Sequence, residues 1–305
     1  MQMKFSIVIC SYNRAKPLSE TLQSVVSQDF LPENFETIIV DNNSADDTAA
    51  VCQSFVEKYP EFNILYLKEL QQGVSYARNR GVNEAQGQWI VFMDDDETVR
   101  PDFLSRLNDF SGQFPEAELI SEPVVPVFAT PPPEWLSPYT LRLITGAYDQ
   151  GKSVKIVGPK NYPGTGHASF KTALFHQYGD FNTNLGRKGA SLMGAEDKDF
   201  FLRLIQNGVK CYYVPQAVIY HHIPAEKLTE DFFRRITIAI GKSERIRTLS
   251  LSKTAYFKRL SDEIVKWGGS FVLCFYYFLR GQFAKGKKLI EFRYYVSKGL
   301  LQNKI

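Results

Sequence analysis

Four apolar runs in the first hundred residues each stop abruptly at a polar cluster, and that repetition limits the folds open to the chain more than any other feature. Phe5-Ser6-Ile7-Val8-Ile9-Cys10 breaks at Ser11-Tyr12-Asn13-Arg14, and Leu18, Leu22, Val25 and Val26 then recur at helical spacing. Thr37-Ile38-Ile39-Val40 ends in Asp41-Asn42-Asn43-Ser44 before a stretch with Val51, Phe55 and Val56 on one helical face. Phe62 to Leu67, Gly73 and the segment Ser75 to Ala85 repeat the pattern, and Trp89 to Met93 begins it again. Strands alternating with helices predict an α/β fold, a Rossmann-like, mostly parallel sheet flanked by helices, with polar residues gathered at the carboxyl ends of the strands.

The fourth run ends in three consecutive carboxylates, Asp94-Asp95-Asp96, followed by Glu97. Like charges this close cannot all be buried without compensation, so they belong at an exposed strand end and share a counter-ion. Hard carboxylate oxygens suit Mg²⁺ or Mn²⁺, ions that usually complete their shells with substrate phosphates. The competing reading is an acidic turn capping a helix that Pro101 opens. By either reading, Ser11 to Arg14, Asp41 to Ser44 and Asp94 to Asp96 come together at one end of the sheet.

The sequence Ser6 to Arg14, then Ile-Ile-Val-Asp-Asn-Asn-Ser-Ala-Asp-Asp-Thr from Ile38, Gly-Val-Ser-Tyr-Ala-Arg-Asn-Arg-Gly from Gly73, and Phe92 to Glu97 resembles the family 2 glycosyltransferases of the GT-A fold. The likeness continues through Gly194-Ala195-Glu196-Asp197-Lys198-Asp199 and Val218 to Pro224, covering roughly the first 240 residues. Several motifs in the right order are far more specific than any one of them.

The resemblance implies an inverting transfer of a sugar from a nucleotide diphosphate donor to an acceptor hydroxyl, in polysaccharide or glycolipid assembly. It implies that Asp96 holds the Mn²⁺ or Mg²⁺ ion, with Asp95 and Asp94 near the ribose or completing the metal shell. His221 would join Asp96, although the adjacent His222 competes for that assignment. Asp197 would be the base for the acceptor hydroxyl, with Glu196 orienting a loop or touching the sugar; both precede the apolar residues Phe200, Phe201, Leu204 and Ile205, so they are equally suited to capping a helix. Asp41 resembles the family's base-reading carboxylate, which favours UDP over CDP and leaves GDP and thymidine nucleotides open. Ser11, Tyr12 and Asn43 lie at the same strand ends, within reach of base or ribose. Arg14 and Arg78 suit either the diphosphate or internal ion pairs. The resemblance divides the chain into a catalytic domain, 1–240, with a nucleotide-binding half to 128 and an acceptor-side half from 129, and a helical extension, 241–305. On the acceptor side, Trp135, Tyr139, Tyr148 and Tyr162 can stack on sugars or fill a core.

Charge sets the last segment apart. From Gly241 to Ile305 there are 14 Lys and Arg against 4 Asp and Glu, a net of +10, which leaves −7 for the rest of a chain whose total is +3. Its apolar run Trp267 to Leu279 is too short to span a bilayer as a helix, which needs ~20 residues. The segment suits peripheral contact with the inner face of a membrane, or packing on the catalytic domain. The rest of the chain offers no broad cationic surface, which argues against nucleic acid as a partner. Cys10, Cys52, Cys211 and Cys274 show no metal-ligand spacing and read as free thiols in a reducing cytoplasm, and no signal peptide is visible.

Two glycine patterns carry less. Gly281 to Lys288 resembles a phosphate loop but has Lys288 where a Ser or Thr is needed, and Gly164 to Ser169 lacks the last glycine of a dinucleotide motif. By the resemblance, Gly164 to Ser169 belongs to the strand and loop beneath the acceptor, with His167 where the family often carries Asn, and His167 is equally suited to being an inert surface histidine. Two other functions use a similar framework. A nucleotidyltransferase would want a glycine-rich basic loop after the first strand, where this chain has Cys-Ser-Tyr-Asn-Arg; a non-catalytic nucleotide-sugar-binding protein would have little use for both Asp96 and Asp197.

Overall fold

The computed structural model, which describes residues 3–302, forms β1 (Phe5–Ser11) from the first apolar run, followed by α1 (Ala15–Val26), β2 (Phe35–Asp41), α2 (Thr48–Lys58) and β3 (Asn63–Lys68). Helix α3 (Val74–Glu84) leads into β4 (Trp89–Asp94). Next come β5 (Glu97–Val99), α4 (Phe103–Gln113), β6 (Leu119–Ser121), β7 (Val124–Phe128), α5 (Pro138–Thr145), β8 (Lys155–Val157), β9 (Ala168–Lys171), α6 (Ala173–Tyr178) and α7 (Glu196–Gln206). The last elements are β10 (Cys211–Tyr213), β11 (Ile219–Ile223), α8 (Glu230–Leu251), α9 (Lys253–Leu279) and α10 (Phe283–Leu301).

The main sheet has the order β3-β2-β1-β4-β9-β6-β10-β8, and a smaller one has β5-β11-β7. Strands β1 to β4 run parallel, β9 is antiparallel to both β4 and β6, and β10 is parallel to β6. The expected mostly parallel α/β sheet is therefore present. Successive strand residues face opposite sides. Ile7 and Ile9 accordingly join Leu18, Leu22, Leu104 and Leu107 from α1 and α4, while Val8 joins Ala77, Phe200 and Leu204 from α3 and α7. Burying both faces explains why the first two strand runs are almost unbroken apolar sequence.

Glu122, just past β6, has no exposed surface. Its Oε1 accepts a 2.6 Å hydrogen bond from Ser169, and Oε2 has no partner among the described residues. Burial pushes this carboxyl up to about 8, against the pull of the Ser169 hydroxyl. The folded protein therefore keeps a proton that the unfolded chain releases above its ordinary carboxylate pKa of 4.5. The stability this proton brings is complete at acid pH and is lost as pH rises through about 8. Glu122→Gln removes the titration, so its Tm should gain on wild type by several degrees between about pH 5.5 and 8.5, at up to ~1.4 kcal/mol per unit of pKa difference. Equal pH dependence in the two proteins would mean that Glu122 is ionised when folded.

The chain divides into two compact units. One takes the chain to Val127, then Ala147–Thr183 and Glu196–His222; the other takes Phe128–Gly146, Asn184–Ala195 and the chain from Ile223. In the second unit Trp135, Ile144, Phe233 and Ile236 form a separate core. There α8 and α10 cross so closely that a Cβ on Gly241 would lie 2.2 Å from the carbonyl oxygen of Val296, and one on Gly299 2.2 Å from that of Ile238. The division expected at 240/241 falls inside α8, a continuous helix in which Gly241 serves the close crossing with α10 and ends nothing. The Gly281 to Lys288 segment is no phosphate loop. Lys288 is buried, paired with Glu230 and Glu291, and lies over the rings of Trp135 and Phe233 at 5.1 and 4.8 Å. All four cysteines are free, with Cys52 and Cys211 buried.

Candidate functional site

The first two strands end side by side, with Ser11 in register with Asp41. Their loops are laced together: the Asn13 amide donates to Ser44 Oγ (2.9 Å), and the Ala45 amide donates to Asn13 Oδ1 (2.8 Å). Asn13 and Asn43 hold φ of 53° and 62°, a region that asparagine tolerates better than most residues. Asp41 is wholly buried, its Oδ1 accepting from the Ser44 amide at 2.8 Å and its Oδ2 from the Tyr66 hydroxyl at 3.0 Å. Burial and this carboxylate together push the Tyr66 phenol up to about 12. Tyr12 and Asn43 have exposed side chains at the same end.

The three aspartates diverge. Asp94 ends β4 with its side chain half exposed, whereas Asp95 and Asp96 turn inward. Ser11 Oγ donates to Asp95 Oδ2 at 2.7 Å. Arg14 reaches both inner carboxylates, with Nε 3.1 Å from Asp95 Oδ1 and Nη2 2.5 Å from Asp96 Oδ2. Burial pushes the Asp95 carboxyl up to about 7, Arg14 opposing the rise and the charge of Asp96 adding to it. Arg14 itself is held above its ordinary value: burial works against its charge, and Asp95 and Asp96 outweigh it. Strand β5 separates these acids from α4, whose cap position is Asp102, so the aspartates do not cap that helix.

Strand β11 pairs antiparallel with β5 and sets His221 opposite Glu97. His221 Nε2 lies 3.3 Å from Asp96 Oδ2. His222 faces the other way, its Nε2 2.9 Å from Thr98 Oγ1, while its amide donates to the Asp96 carbonyl at 2.9 Å. The alternation of the strand thus separates two histidines that sequence alone leaves equivalent.

Arg78, from α3, gathers the remaining acids. Its buried guanidinium lies 3.0 Å from Glu196 Oε1, 3.0 Å from Asp197 Oδ1 and 3.5 Å from Asp94 Oδ1. Of its two expected settings, the internal ion pair is the one present. Glu196 and Asp197 open α7, where the helix terminus also favours negative charge. Burial would raise the Asp197 carboxyl, but Arg78 and a 2.6 Å hydrogen bond from Thr165 Oγ1 outweigh it and hold it below the usual carboxylate range. Ala195, directly before the pair, sits at φ 77°, a conformation costly for any residue with a Cβ.

Thr165 was not foreseen as a partner of Asp197, since its only signal was its place in the Gly164 to Ser169 segment. Gly166 serves there as a close-approach residue: a Cβ would lie 2.5 Å from Asp94 Cγ. His167 is buried rather than on the surface, because its Nε2 folds back to accept the Gly164 amide at 2.8 Å. Of the stacking candidates, Trp135 and Tyr148 are core residues, Tyr148 donating to the Asn161 carbonyl at 2.8 Å, and Tyr162 packs partly buried beside Phe201; Tyr139 is exposed.

Asp96 Oδ2 and His221 Nε2 form an oxygen–nitrogen donor pair that fits a divalent cation drawing its other ligands from substrate phosphates and water. Among the described residues no group of three or more His, Cys, Asp or Glu side chains forms a fuller cage.

A model described as Glycosyl transferase family 2 matches residues 6–117, and one described as Glycosyl transferase family group 2 matches residues 89–281. The chain is 29% identical over 266 residues to the glucosyl-dolichyl phosphate glucuronosyltransferase of Haloferax volcanii, covering 85% of this chain and 83% of that one. Among solved structures, S. aureus TarS 1–349 in complex with UDP-GlcNAc aligns with a TM-score of 0.60 at 20% identity, covering 96% of this chain and 91% of TarS 1–349. The mannosyltransferase PcManGT from Pyrobaculum calidifontis, in complex with GDP-Man and Mn²⁺, aligns with a TM-score of 0.64 at 16% identity, covering 100% of this chain and 89% of that one. At such identities the structural likeness is one of fold.

Proposed function

The chain belongs to glycosyltransferase family 2 and has the GT-A fold, and from that premise we propose that it inverts the anomeric centre of a nucleotide diphosphate sugar, a UDP-sugar first among the candidates, in transfer to an acceptor hydroxyl during polysaccharide or lipid-linked glycan assembly. The observation that carries this reading is the Arg78 bridge. One buried guanidinium holds the strand-end carboxylate Asp94 and the helix-start carboxylates Glu196 and Asp197 within 3.5 Å. This bridge supports reading the donor side and the side that must accept a proton as one site.

In this reading Asp96 and His221 would hold Mn²⁺ or Mg²⁺. Bound there, the ion supplies charge neutralisation to the departing diphosphate. Ser11 and Arg14 orient Asp95 and Asp96 for that task, and Asp95 and Asp94 would lie near the ribose or complete the metal shell. Asp41 braces the Asn42 to Ser44 loop, using two of a carboxylate's about four lone-pair sites internally; wholly buried, it would meet an imino N–H of the base only where that loop yields to the nucleotide. Tyr12 and Asn43 supply the exposed walls. Asp197, kept ionised by Arg78 and Thr165, takes the proton from the attacking hydroxyl, and Glu196 fixes Arg78 in place.

Support for a lipid-linked acceptor comes from the name of the Haloferax volcanii relative, which specifies glucosyl-dolichyl phosphate. The four free cysteines fit action in a reducing compartment.

A panel of UDP-, GDP-, CDP- and thymidine-diphosphate sugars tests the reading directly. A UDP-sugar with Mn²⁺ should raise Tm most, by an amount that grows with ligand excess, and should release UDP when an acceptor is added. Release of pyrophosphate from a nucleoside triphosphate and a sugar phosphate would instead identify a nucleotidyltransferase. Protection without any turnover on an acceptor panel would identify a binding protein.

A further inference from the structure

Helix α9 touches its neighbours along a narrow seam. Tyr256, Glu263, Ser270 and Tyr277 are buried at seven-residue spacing, and Arg259 and Arg293 pair with Glu263 along it. The face turned away from the seam is apolar from Ile264 onward. Ile264, Val265, Phe271, Val272, Phe275 and Leu279 are all exposed, Val265 and Val272 at 76% and 70%. At 3.6 residues per turn these six fall within an arc of about 120°. From Ile264 to Lys287 the chain carries no Asp or Glu, while Lys266, Arg280, Lys285 and Lys287 occur at the two ends of the apolar arc and just beyond it.

We propose that this face of α9, with the turn into α10, lies in the interfacial layer of an anionic lipid bilayer. Charge complementarity selects that occupant. A second copy of the chain would bring Arg280, Lys285 and Lys287 of both copies, six cations, to one interface with no acid from the same stretch to offset them, whereas an anionic surface attracts each cation while the acyl boundary accepts the apolar arc. Phe271 and Phe275 on this face are of the type found on the apolar side of interfacial helices. Among the described residues no helix is long and apolar enough to cross a membrane, so the contact is parallel to the surface. The inference extends the reading of a lipid-linked acceptor, but sedimentation measures it without any sugar transfer, so the two can fail separately.

The full chain should sediment with phosphatidylcholine vesicles containing about one-third phosphatidylglycerol and not with phosphatidylcholine alone, at about fivefold in binding for each cation near the surface. Raising salt from about 50 to 500 mM should weaken binding at least tenfold. Phe271→Ser with Phe275→Ser, both on exposed positions, should cut binding at least tenfold with Tm unchanged. Lys285→Glu with Lys287→Glu should abolish the preference for anionic vesicles. The idea is overturned if the wild type ignores anionic vesicles, if the Phe271/Phe275 variant binds like wild type, or if those residues instead abolish a concentration-dependent dimer. A cut at Ser261 is not a usable test, because it removes α10 and with it the close crossing on α8.

Discussion

Asp197→Asn should lower turnover by roughly 10²- to 10⁴-fold while leaving donor affinity nearly unchanged. The amide fills the space of the carboxylate but has no charge with which to accept a proton. Arg78 keeps Glu196 and Asp94 as partners in the variant, so the guanidinium is not left as an unpaired buried charge and the fold should persist. The measurement is kcat beside an equilibrium titration of the donor. A parallel loss of donor affinity would make Asp197 a donor contact or a helix cap. The product should show inverted anomeric configuration by NMR, and retention would exclude a single displacement.

Asp96→Asn should abolish most turnover, by upwards of about 10³-fold, because several kcal/mol of charge stabilisation depend on the ligand that it removes. EDTA should do the same to the wild-type protein. Asp96 Oδ2 lies between Arg14 and His221, so the neutral variant also releases both neighbours, and an intact fold must be checked by Tm. His221→Ala should weaken Mn²⁺ affinity more than His222→Ala does, since the latter side chain is turned to Thr98. Full activity in both Asp96→Asn and the EDTA-treated enzyme would rule out a metal-dependent mechanism, and the reverse histidine order would move the ligand to His222.

The residues that could be read directly from the sequence are those whose neighbours in the chain announce them. Asp41 and Asp94 to Asp96 follow long apolar runs, and a strand buried on both faces can end only where polarity returns. Arg78 was a different matter. It could be named as a cation near the site, but Glu196 and Asp197 lie 118 and 119 positions away, and no local pattern encodes a bridge of that span. Thr165 was invisible for the same reason. Strands β6, β8 and β10 are three residues each, too short for a period to register, and the antiparallel setting of β9 between β4 and β6 follows from the path of the chain rather than from its four residues. In α9 the apolar run was plain, but a helical pattern does not state which of its faces a neighbour will cover.

That setting of β9 has a consequence for how the protein comes into being on the ribosome. Strand β4 is complete at Asp94, yet the strand that pairs with its open side spans Ala168–Lys171. At roughly 5–20 residues per second, about 4 to 15 seconds of synthesis separate the two. Throughout that interval the nascent sheet presents an unpaired row of backbone donors and acceptors along Trp89 to Met93, among the most apolar strands it has. The part of the chain that announces its fold most clearly therefore also spends several seconds of synthesis with its edge open.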